Sequence, residues 1–111
     1  MIRTMTLMAL LIATPALAEE APCSGDMNMK AQCQSERAQA AIQAAYEAKL
    51  ARLDPDQQTM LKLEQSMWKP QALQDCMHEA GDKQLPHGLI QKAVHECMTA
   101  RAEKRRAQLV K

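Results

Sequence analysis

Four cysteines, three histidines and nine methionines are the side chains of this 111-residue sequence with the most chemistry to offer. Cys23, Cys33, Cys76 and Cys97 form an even set, which in a small exported chain favours two disulfides over free thiols. His78, His87 and His95 lack the companions a catalytic site requires, because no Ser or Cys nucleophile has an obvious His partner and carboxylate orienter. His95-Glu96-Cys97-Met98-Thr99 begins like a zincin helix, yet Thr99 stands where the second ligand belongs. The sequence therefore reads as non-enzymatic, with no cofactor. The metal alternative is copper: Met27 and Met29, Cys76-Met77-His78 and His95-Glu96-Cys97-Met98 gather soft ligands suited to a periplasmic copper-binding protein. Against it, Met77 and Met98 serve equally as adaptable core filler, and oxidised cysteines ligate nothing.

Composition narrows the remaining classes. One Trp, one Tyr and no Phe leave no stacking platform, and a formal charge of +1 gives no strong polyanion-binding field, so nucleic acid is not an expected partner. The three glycines lie far apart, which removes any phosphate-cradling loop. Charge is nevertheless uneven. Arg101, Lys104, Arg105, Arg106 and Lys111 against Glu103 make the C-terminal end basic, while the stretch from Glu19 to Ala100 is acidic. A basic helix end suits the helix dipole and water. Arg101, Lys104, Arg105 and Arg106 are also candidates for contact with an anionic membrane surface.

The elements that position these residues begin with a leader. Arg3, the apolar run Met5 to Ile12, and small residues at Ala16 and Ala18 describe a signal peptide over residues 1–18, cleaved between Ala18 and Glu19. Cys23 follows Glu20, Ala21 and Pro22 rather than a lipoprotein processing run, so the expected product is a periplasmic or secreted protein and not a lipoprotein. Residues 19–111 then form a single domain. Ala, Leu, Gln, Lys, Glu and Met dominate it, a vocabulary that forms helices and avoids strands.

The expected fold is all-α: a three-helix antiparallel bundle, or a hairpin plus a third helix, cross-linked by two disulfides. The first helix is expected from Asp26 or Asn28 to about Leu53, with Ala38, Ile42, Ala45, Tyr46, Leu50 and Leu53 on one stripe. Asp54-Pro55-Asp56-Gln57 supplies an N-cap, a proline in the first turn and a capping box for the second. Its apolar face takes in Met60, Leu61, Met67, Trp68 and Ala72, Pro70 is expected to kink or split it, and Gly81 to stop it. The third starts around Leu85 to Gly88, turns Leu89, Ile90, Ala93, Val94, Cys97 and Met98 inward, and ends near Leu109. Cys33 precedes the turn by the same number of residues as Cys76 follows it, so Cys33 with Cys76 and Cys23 with Cys97 are the preferred pairs. Cys23 with Cys76 and Cys33 with Cys97 remain the competing set. Trp68 and Tyr46 read as core anchors. The exposed working surface is expected on the connection from Gly81 to Gly88, where Lys83, Gln84 and His87 are the candidate partner-binding residues.

The order and spacing of these features resembles the lysozyme inhibitor LprI-like N-terminal domain family of small exported helical domains. The residues that carry the resemblance are Cys23 and Cys33, Ala45-Tyr46 with Leu50, Leu53-Asp54-Pro55-Asp56-Gln57, Gln65 with Trp68, Cys76, Gly81, Cys97, and Arg105 with Leu109. Pro70, Gln71 and Ala72 depart from the family pattern, which continues from its Trp with an aromatic and an Arg, so no role of that Arg carries over. Cys23 to Cys33 also has the spacing used by coiled-coil-helix proteins, but those need it twice. The resemblance implies a non-enzymatic binding protein that inhibits a lysozyme by occluding its cleft. The alternative from another class is an envelope-associated helical module that docks through its basic C-terminus.

Overall fold

The computed structural model describes residues 20–111; the expected signal peptide and its cleavage point between Ala18 and Glu19 lie outside the described residues. Three helices make up the described residues, which contain no strand: α1 (Met27–Leu50), α2 (Pro55–Asp82) and α3 (His87–Leu109). Asp26 caps α1 by accepting the Met29 amide at 2.9 Å. Gly25, just before it, has φ +106° and lies so close to Met29 that a Cβ would meet that side chain, which is why the chain enters α1 through a glycine.

α1 ends three residues before the expected Leu53, and residues 51–53 form the turn. The capping box at the start of α2 is complete: Asp54 accepts the Gln57 amide at 2.9 Å, and Gln57 accepts the Asp54 amide at 3.3 Å. Gln58 adds a bond across the turn by donating to the Leu50 carbonyl at 2.9 Å, satisfying one of the free carbonyls at the end of α1.

α2 runs unbroken through Pro70 and is not split there. Pro70 is exposed, so water can reach the Ser66 carbonyl that loses its amide, while Trp68 and Ala72 on either side pack inward. The inward face of α2 consists of Leu61, Trp68, Ala72, Cys76 and Ala80. Met60 and Met67, expected on that face, are exposed on the other side of the helix.

α3 is the organising element. It packs along both α1 and α2, whereas α1 and α2 barely touch beyond their shared turn. One hydrophobic cluster joins Ile42, Leu61, Ala102 and Leu109, flanked by Ala38, Ala45, Tyr46, Leu50, Leu53 and Trp68. A second joins Ala72, Cys76 and Met98, flanked by Val94 and Cys97, and Trp68 touches both.

This arrangement overturns the preferred disulfides. The pairs are Cys23 with Cys33 (Cα–Cα 5.7 Å) and Cys76 with Cys97 (5.6 Å), not Cys33 with Cys76 and Cys23 with Cys97. Equal distance from a turn brings two residues together only if the helices it joins lie side by side. Here α3 takes the place beside each, so Cys76 meets α3, and Cys33 is left to bind the segment that leads into its own helix.

Candidate functional site

The connection between α2 and α3 is only four residues long, Lys83 to Pro86. α2 continues one residue past Gly81, which has no left-handed backbone; that conformation falls on Gln84, with φ 51°. A non-glycine residue held there costs about 1–2 kcal/mol and persists only where its surroundings enforce it. Two constraints do so. The Cys76–Cys97 bond ties α2 to α3 behind the turn, and Pro86 enters α3 as its N-terminal flanking residue with no side-chain cap. Lys83, Gln84 and His87 are exposed on this tip, while Leu85 is half-buried beneath it. Lys83 and Gln84 thus lie on one tight turn, and His87 opens α3 directly after it.

Acidic groups line the approach to the tip along α2. Asp82 pairs with His78 at 3.4 Å, and Glu79 and Asp75 hold Arg101 of α3. On one side of the tip a groove of about 440 Å³ opens between α2 and α3, with Leu73, Met77, Ile90 and Val94 as its apolar walls, His95 beside them and Gln32 of α1 at its rim.

The basic C-terminal end is not the free patch expected from the sequence. Arg105 is 5% exposed, bonded to Gln65 at 2.9 Å and to Glu64 at 2.6 Å, with Nη2 buried and unpartnered among the described residues. Arg101 is engaged by Glu79. Of the four candidates only Lys104 and Arg106 are exposed without an acid partner among the described residues, and Arg105 in particular is corrected from a surface contact to an interior tie between α2 and α3. Its placement had a sequence signal: Met98, Ala102, Arg105 and Leu109 recur at helical spacing, which puts Arg105 on the buried stripe.

Among the described residues no group of three or more His, Cys, Asp or Glu side chains could hold a metal, and no cysteine is free. The disulfide takes Cys76 and Cys97 out of the soft-ligand clusters, and of their methionines Met98 is buried in the core whereas Met77 is exposed. No described helix is long and apolar enough to cross a membrane.

The described residues form a small all-α domain with two disulfides and a short polar turn between α2 and α3. The sequence profile of the family described as lysozyme inhibitor LprI matches residues 18–109, and the chain belongs to that family. Neither curated proteins nor solved structures gave a match.

Proposed function

We propose that this protein is a non-enzymatic, exported lysozyme inhibitor that acts by inserting its α2–α3 turn into the active-site cleft. Family membership supports the inhibitor class. The observation that supports this turn as the inserted element is its shape: Lys83 and Gln84 project from a four-residue connection with a left-handed Gln84, His87 opens α3 directly after it, and Cys76–Cys97 ties the two helices behind it. A pre-ordered turn loses little entropy on binding.

The chemistry is complementary. A retaining glycosidase cleft carries two carboxyl groups roughly 5 Å apart. The Lys83 ammonium, or a protonated His87, would pair with them and exclude the sugar. The acidic excess of the stretch from Glu19 to Ala100 suits the basic surface common to many lysozymes and would speed encounter. The test is a turbidity assay of lysozyme on bacterial cell walls with the oxidised protein added over a wide concentration range. Saturable inhibition is expected, with K83A/H87A needing on the order of tenfold more protein for the same effect, about 1.4 kcal/mol of binding. Unchanged inhibition by the double variant moves the site away from this turn.

A further inference from the structure

α2 carries two apolar faces, and the bundle uses one. The outer face presents Met60, Leu63, Met67, Pro70 and Met77, with Leu73 at its border; Met60 is 66% exposed, Met67 56% and Met77 59%. Five of the eight large hydrophobic side chains exposed among the described residues lie on this helix. α1 and α3 are built differently, their outer sides laced by four-residue polar pairs such as Gln32–Glu36, Gln43–Glu47 and Lys92–Glu96. An apolar stripe left open to water marks a contact surface.

Its spacing indicates what kind. Met60, Leu63, Met67, Pro70, Gln74 and Met77 alternate three- and four-residue steps without a break, the pattern of a seam that receives another helix. The seam spans about 27 Å of helix at 1.5 Å per residue.

We propose that this face joins α2 of a second copy of the same chain, antiparallel, around a two-fold axis near Trp68 and Lys69. The seam matches its own reverse. With its layers aligned, Met60 of one copy meets Met77 of the other, Leu63 meets Gln74, and Met67 meets Pro70. The flanks agree in charge as well: Glu64, whose Oε1 is held by Arg105, falls with its other carboxylate oxygen opposite the Gln71 amide, and Ser66 falls opposite Leu73, so no like charges meet. Lys62 and Lys69 lie outside the seam. The formal charge of +1 adds little repulsion between copies. α3 packs on the opposite face of α2, so the seam is not the face the bundle buries. A single-helix seam is smaller than a standard interface, and the dimer is correspondingly weak, with a dissociation constant on the order of 100 μM.

Sedimentation equilibrium of the oxidised protein from micromolar to millimolar concentration reads this directly. The average mass is expected to climb from monomer toward dimer. L63D/M67D, two changes at exposed positions that leave helicity by circular dichroism intact, is expected to stay monomeric throughout. Q74L replaces the polar layer and is expected to shift the curve to about tenfold lower concentration. Mixed and oxidised, M60C and M77C chains are expected to cross-link to each other, and M60C chains not to themselves. A wild-type monomer at millimolar concentration, a dimer that survives L63D/M67D, or cross-linking of M60C only to itself overturns the proposal.

Discussion

The two turns of the bundle join helices of similar length by opposite means. Between α1 and α2, the backbone is satisfied from within: Asp54 and Gln57 exchange amide bonds, Gln58 reaches back to Leu50, and beneath them Ile42, Leu61 and Leu109 close a core of full-sized aliphatic side chains. Between α2 and α3, no side chain caps α3, Gln84 sits in a left-handed conformation, and the cluster beneath contains Ala72, Cys76 and Met98. A covalent bond there does what packing does at the other end. The difference shows that the end proposed to bind is held by a staple rather than by bulk, which keeps a short polar turn fixed while leaving its side chains free for a partner.

The largest effect should come from the packed end. Ile42→Ala or Leu109→Ala removes a buried aliphatic side chain and should cost about 4 kcal/mol, read as a lower urea midpoint. Inhibition of lysozyme, assayed where the variant is still folded, should not change. A variant that loses inhibition in proportion would show that the two ends are not separable.

Next in size are the staples. Opening Cys76–Cys97 by C76A/C97A or Cys23–Cys33 by C23A/C33A each removes about 3 kcal/mol of constraint on the unfolded chain, slightly more for the longer loop. The two should part in the inhibition assay. Loss of the first frees the tip and should weaken inhibition several-fold, whereas loss of the second, at the start of α1, should leave it unchanged. Equal weakening by both would deny the tip its special dependence. Asp54→Ala, which removes the N-cap of α2 at the other turn, should cost about 1 kcal/mol and leave inhibition untouched.

The same contrast accounts for what was legible in the sequence. The first turn could be read residue by residue because its signals are local: an Asp N-cap, a proline in the first turn and a glutamine three residues beyond the cap are chemistry of adjacent residues. The stripe of α1 was readable for a related reason, since periodicity reports which face is buried. Periodicity does not report which helix covers that face. The disulfides therefore escaped: their pairing depends on α3 lying against both other helices, a fact of tertiary packing that equal spacing from a turn does not contain. Met60 and Met67 escaped similarly, because α2 has two apolar faces and composition alone does not say which one turns inward. Arg105 was hidden by its charge. A guanidinium at the end of a basic run reads as surface until Glu64 and Gln65, some forty residues away in sequence, are seen to hold it. The sequence puts Lys83, Gln84 and His87 on an exposed connection but gives the left-handed position to none of them, because Gly81 reads as the helix stop.

That displaced left-handed residue supplies the smallest effect and the sharpest separation of the two ends. Glycine adopts φ near +50° without the Cβ clash that Gln84 suffers, while giving up more conformational freedom on folding. The two terms oppose, and Gln84→Gly should stabilise the oxidised protein by about 0.5 kcal/mol in urea unfolding. Gln84→Ala keeps the clash and should not stabilise. Both variants lose the side-chain amide. If that amide touches the partner, both inhibit less well and one of them is the more stable protein, a combination that damage to the fold cannot produce. If only the turn's shape matters, Gln84→Ala should inhibit like the parent protein, while the freer backbone of Gln84→Gly raises the concentration needed. Full inhibition by both would leave the turn without a binding role for Gln84 and transfer the burden to Lys83 and His87.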